Sequence, residues 1–163
     1  MKQEYTSAKT STKQVPRTHK HLIKYGEGFK NFDNGAGKYM DGTMYLYDHK
    51  IFNHRYDPFN LSEDENFDSL SYKGEYFTST IANVLNTIKE KEVQLDVLKR
   101  SYDMLMGGGF CLITVYYDKN KKAGPTINGW QWHKPLKEYL PLVEEVFDVV
   151  EINNNMIIAS KRC

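Results

Sequence analysis

Cysteine is scarce: two residues in a chain of 163. Cys111 lies inside a strongly apolar run and Cys163 is the last residue. That excludes a disulfide framework and makes a reducing cytoplasm the expected compartment. No apolar run approaches the roughly 20 residues a membrane helix needs. The N-terminus is polar, without the apolar centre of a secretory leader. Net charge is only +1, so no global electrostatic case for nucleic acid exists. Five histidines are present, but His19-x-His21 has no further ligands nearby and no cysteine beside it, so no zinc set is expected. Internal repeats are absent.

What is present fits one folded domain. The apolar share is 40% and the charged share 26%, and the length suffices for a single core. Residues 1–14 are mostly Lys, Ser, Thr and Gln and read as a flexible basic tail. Up to Lys24 the basic residues Lys2, Lys9, Lys13, Arg17, Lys20 and Lys24 face Glu4 alone, so the arm is able to contact phosphates or simply be solvated. Residues 15–163 form the domain. Twelve tyrosines are unusual, and such rings favour surfaces with one wet and one apolar end.

The chain is organised around Phe32-Asp33-Asn34-Gly35-Ala36-Gly37-Lys38. A strand over 28–32 runs into an acid, then a G-x-G turn, then a helix from about Lys38 to Tyr47. That order opens a crevice for a nucleoside-like ligand at a sheet edge. Glycines let the main chain turn with positive φ and let a ligand approach it closely. The third glycine of a dinucleotide fingerprint is missing, since Met40 stands there, and a phosphate loop fails because Phe32 and Tyr39 occupy its Gly and Ser/Thr positions.

A second strand over 51–57 ends on Asp57, 20 residues past Gly37, the separation at which an acid reaches ribose hydroxyls. Pro58 makes a plain turn compatible with it, and Phe59 and Asn60 then lie beside the ligand's ring. Residues 61–75 read as an acidic, serine-rich loop with a short edge strand near 67–72. A buried strand over 76–82 leads to Asn83-Val84-Leu85-Asn86 at its carboxyl end. Leu95, Leu98, Tyr102 and Leu105 form a helical stripe over 89–106, with Arg100 facing solvent and Gly107–Gly109 as the stop. A strand over 110–117, a loop to Gly129, a helix over 136–146 and a hairpin around Asn153–Asn155 complete the chain. The expected fold is α/β, a doubly wound, mostly parallel sheet with a C-terminal antiparallel hairpin.

With these pieces placed, the chain resembles a small class I S-adenosylmethionine-dependent methyltransferase of the phage or mobile-element kind. The D-x-G-A-G-K turn (Asp33–Lys38), Y-D-P-F-N (Tyr56–Asn60), N-V-L-N (Asn83–Asn86) and W-Q-x-x-K-P (Trp130–Pro135) carry the resemblance. It implies a reduced Rossmann-like fold, because the stretch between strands two and four is short. It implies S-adenosyl-L-methionine as cofactor, with Gly35 and Gly37 under its methionine part, Asp33 near its amino group, Asp57 on the ribose diol, and Phe59 and Asn83 beside it. The usual acid near strand four is missing, with Phe77 in its place. So are the Asn/Asp-Pro-Pro-Tyr/Phe signature of amino-directed nucleic-acid enzymes and a Pro-Cys nucleophile.

Methyl transfer is an in-line displacement that depends on alignment, and needs a base only where the acceptor must lose a proton. His133 and Lys134, after strand five, are the candidates for that role, with Tyr117, Asp118, Trp130 and Trp132 lining an acceptor pocket. The acceptor, small molecule or nucleic acid, stays open. A catalytically idle cofactor-binding module and an NAD-type oxidoreductase are the alternatives.

Overall fold

β1 (Lys30–Asn34) lies one strand in from an edge of the sheet. The computed structural model describes residues 2–163. β2 (Phe52–Tyr56) pairs parallel to one side of β1 and β3 (Tyr76–Ala82) parallel to the other. β4 (Leu105–Thr114) lies parallel beyond β3. A hairpin of β7 (Val149–Asn153) and β8 (Met156–Ser160) then adds antiparallel, giving the order β2-β1-β3-β4-β8-β7. Asn154 and Asn155 both have φ above 50°, which closes this hairpin with a two-residue turn of matching twist. The order reverses between β1 and β3, the switch point where such sheets bind ligands. β2 forms one edge of the sheet, with no strand outside it among the described residues. This is the doubly wound, mostly parallel sheet with a C-terminal antiparallel hairpin that the sequence suggests.

Alternation along β4 explains the layers. Cys111 and Ile113 face one side of the sheet and join Phe32 and Ile81 under α4 (Lys91–Met104) and α5 (Leu140–Glu144). Leu112 faces the other side and meets Leu22 of α1 (Arg17–Leu22) and Leu46 of α2 (Asp41–Asp48). A small separate hairpin, β5 (Gly124–Thr126) with β6 (Gly129–Gln131), forms where a loop was expected.

Several expectations are corrected. The acidic stretch after β2 is a helix, α3 (Glu63–Leu70), not a loop with an edge strand. Ser62 and Glu65 make a reciprocal capping box, and Glu63, Asp64 and Glu65 suit the positive end of the helix dipole. The glycines at 107–109 do not stop a helix; α4 ends at Met104 and they lie within β4, where the register to β3 shifts. Gly108 has φ +81°, and a Cβ on Gly109 would sit 2.9 Å from the Phe77 carbonyl. The buried face of α4 is Gln94, Val97, Leu98, Ser101 and Met104, so Leu95 and Tyr102 sit at its margin. Arg100 is not simply solvated, since its guanidinium carbon lies 4.5 Å from the Tyr56 ring centre. The expected helix over 136–146 is a 3-10 turn at Leu136–Tyr139 followed by short α5, because Pro141 suits only a first helical turn.

Replacing Ser62 by Ala removes the cap of α3. It is expected to cost about 1 kcal/mol and so lower the melting temperature by about 2–4 °C for a domain of this size. An unchanged melt by circular dichroism contradicts the role given to that cap.

Candidate functional site

Three loops meet at the carboxyl ends of the parallel strands. After β1, Gly35 and Gly37 adopt φ of +87° and +70°, a region that penalises any side chain. The N–H groups of Gly35 and Ala36 donate to the Tyr56 carbonyl at 2.8 and 3.1 Å, which stitches the turn to the end of β2. A Cβ on Gly35 would lie 2.5 Å from Val84 Cγ2, so the turn packs flush against the loop after β3. In that loop Asn83 takes φ +56°, as Asn tolerates better than most residues.

Asp57, nearly buried, locks the second loop. Its Oδ2 accepts from the Gly37 N–H (2.9 Å) and the Asn60 side-chain amide (3.0 Å), while Oδ1 accepts from the N–H groups of Phe59 and Asn60. Four donors fill the capacity of one carboxylate. The backbone of Asp57 is itself clamped by Asn66 of α3, whose Oδ1 accepts from the Asp57 N–H and whose Nδ2 donates to its carbonyl.

Beneath the turn, Asp33 sits in a polar network that the sequence did not announce. His19 Nε2 donates to its Oδ2 at 3.0 Å and Asn53 Nδ2 donates to the same atom at 3.0 Å. The Thr80 hydroxyl donates to Oδ1 at 3.3 Å, and Asn53 also donates to Thr43 of α2. Burial alone works against the charged form of Asp33, but the charge interaction with His19 and the hydrogen bonds from His19, Asn53 and Thr80 outweigh it. Its carboxyl is held below the ordinary 3.8.

Together these loops line one cavity of about 710 Å³. The structure brings Asp33, Gly35, Gly37, Asp57, Phe59 and Asn83 to its wall. It does not bring His133 or Lys134 there. His133 stacks edge-on behind Tyr116 at 5.9 Å, and Lys134 Nζ lies over the rings of Trp132 and Tyr139. Burial pulls the Lys134 pKa down against the opposing charge of Glu138. Tyr117, Asp118, Trp130 and Trp132 are off the wall as well, whereas their neighbours Tyr116 and Gln131 are on it. Cys111 is sealed between layers, where burial pushes its thiol up to about 12, so it is no nucleophile.

Other wall residues had been given no role at a site: His19, set aside as a zinc ligand, Asn86, noted only within Asn83–Asn86, and much of the N-terminal segment. That segment, read as a basic arm, lies across the rim. Glu4 pairs with Lys89 at 2.6 Å, Tyr5 packs 5.7 Å from Trp130, and Ser11 Oγ accepts from the Lys38 N–H at 3.2 Å.

No protein-family model matches the chain, and no curated protein matches its sequence. Solved structures do match its fold. One is the Burkholderia thailandensis 1,6-didemethyltoxoflavin-N1-methyltransferase with bound 1,6-didemethyltoxoflavin and S-adenosylhomocysteine: TM-score 0.63, 12% identity, covering 90% of this chain and 78% of that one. Another is the S-adenosylmethionine-dependent methyltransferase SibL in its apo form, with TM-score 0.60, 14% identity, and 87% and 52% covered. A third is the Haemonchus contortus phosphoethanolamine N-methyltransferase 2 with phosphomonomethylethanolamine and S-adenosylhomocysteine: TM-score 0.57, 14% identity, 85% and 39% covered. The chain thus spans about half or less of the last two. Their shared feature with this chain is the class I methyltransferase fold.

Because the Asp33 carboxyl titrates below 3.8 when folded, the unfolded chain binds more protons just below that pH. Its stabilisation is complete above pH 3.8 and is lost as pH falls through the folded value. Urea midpoints measured from pH 5 downward are expected to drop less steeply in Asp33→Asn than in the parent. Parallel slopes contradict the assignment.

Proposed function

We propose that the chain binds S-adenosyl-L-methionine across the carboxyl edge of its sheet and transfers the methyl group to a small molecule. The observation that carries this is the convergence of the glycine turn, the tip of β2 and the loop after β3 on one cavity at the switch point. Methyltransferases of this fold, with the ligands named above, support the reading. A cavity of about 710 Å³ is roomy enough for a cofactor and a small acceptor together.

The residues present suit the group. S-adenosylmethionine carries no phosphate, so close approach of main chain matters more than anion capture. Gly35 and Gly37 let the turn take its positive φ and pack against Val84 and Ser11 so that main chain forms the wall, and Asp33 sets a negative charge beneath them. Asp57 holds the ribose hydroxyls. Of its four donors, only the Asn60 amide is a side chain able to swing away, so Asn60 yields Oδ2 to the sugar. When bound, the cofactor supplies an electrophilic methyl on a good leaving group. The chain's task is then alignment and exclusion of water rather than proton transfer.

A thermal shift series tests this. Ligand at 100 times its dissociation constant is expected to stabilise by about 2.7 kcal/mol, with S-adenosylmethionine or S-adenosylhomocysteine but not NAD. Asp57→Ala is expected to abolish the shift, while Asn60→Ala keeps or strengthens it. A shift with NAD alone, or loss of it in Asn60→Ala, overturns the assignment. A shift without turnover on any acceptor extract favours an idle binding module.

A further inference from the structure

Resting on that reading, we propose that the methyl acceptor is a free, neutral, planar nitrogen heterocycle with an N–H edge, and that Asn86 recognises that edge. Asn86 is 1% exposed and lines the cavity, yet its side-chain oxygen has no hydrogen-bond partner. A buried amide oxygen left unpaired costs about 1–3 kcal/mol. Its neighbours in the same wall are well satisfied: Asn34 Nδ2 donates to the Val97 carbonyl and to Ser101, and the Thr87 hydroxyl to the Val84 carbonyl. Asn86 Oδ1 is sealed from solvent in the free protein, so its empty bond meets a ligand donor when the amide turns toward the cavity that the residue lines.

Its position assigns it to the acceptor rather than to the cofactor. The Asn86 carbonyl accepts from the Trp132 N–H at 2.7 Å, which fastens it to the end of β6. Gln131, one residue back, lines the cavity with it, and so does the ring of Tyr116. The N-terminal segment closes this end, since Gly129 of the same hairpin abuts the Thr6 carbonyl. The result is a wall of amides, hydroxyls and one ring, suited to a flat polar molecule.

Most of the bases on the cavity are engaged: Asp33 and His19 bond each other and Asp57 is filled by its own loop, which leaves Asp96 of α4 as the remaining carboxylate of the wall. An alcohol, which must shed its proton as it attacks, is poorly served. A neutral nitrogen needs no such help. Its lone pair forms the N–CH3 bond as the S–CH3 bond breaks and leaves its electron pair on sulfur. The positive charge passes to nitrogen, and any proton lost afterwards goes to water. Cover of the cavity rim by the N-terminal segment favours a free heterocycle over a base in a polynucleotide.

Calorimetry on the full chain tests the two layers separately. S-adenosylhomocysteine alone tests the cofactor; failure there sinks the reading beneath. With S-adenosylhomocysteine bound, adenine and pterin are the probes, against catechol, ethanolamine and a short RNA. Heat with adenine or pterin is expected, and Asn86→Leu is expected to weaken it at least tenfold while leaving S-adenosylhomocysteine within about twofold. Should that variant not fold, the side-chain amide resonance of Asn86 in labelled parent protein is expected to move on addition of the bound heterocycle. Binding only of catechol, ethanolamine or RNA, binding of no probe, an unmoved Asn86 resonance, or equal loss of S-adenosylhomocysteine in Asn86→Leu overturns the proposal.

Discussion

One buried carboxylate holds this site together. Asp33 gathers donors from α1 (His19), β2 (Asn53) and β3 (Thr80) onto two oxygen atoms. Asn53 extends the net to Asn31 and Thr43, and Asn31 accepts from Thr78. A buried charge is tolerable only when its lone pairs are filled, and a filled network fixes one arrangement. Here that arrangement sets the height of the G-x-G turn above the sheet and therefore the floor of the cavity.

The edge position of β2 has a consequence of its own. With no strand beyond β2, the tip of that strand needs another brace. α3 provides it through the two bonds of Asn66 to the Asp57 backbone and through the Arg55–Glu65 pair at 3.0 Å. Asp57 in turn reaches Gly37. A surface helix with a good cap thus supports a residue of the cavity wall through a single intervening loop, and the capping box of α3 belongs to the same chain of supports.

Much of this was legible in the sequence. The glycine turn, Asp57 at its 20-residue offset and Asn83 beyond β3 fall on one wall because strand-loop-helix units end on the same sheet edge. The C-terminal hairpin also matched. What escaped depends on facing or on partners distant in sequence. Around β6 successive side chains point oppositely, so Gln131 lines the cavity while Trp130 and Trp132 do not. Beyond the end of β4, Tyr116 falls on the wall and Tyr117 off it. His19 gains its meaning from a contact 14 residues away in sequence. α3 was readable after all: Ser62-x-x-Glu65 is a helix start, hidden only by the acidic, serine-rich composition around it.

The central claim concerns where a methyl donor lies, and nuclear Overhauser spectroscopy with methyl-labelled S-adenosylmethionine reads that position directly. The account predicts cross-peaks from the labelled methyl group to amide protons of the Gly35–Gly37 turn and of the Asn83–Asn86 loop. Cross-peaks to a different face of the folded protein, or none at a concentration that saturates other methyltransferases, would contradict it.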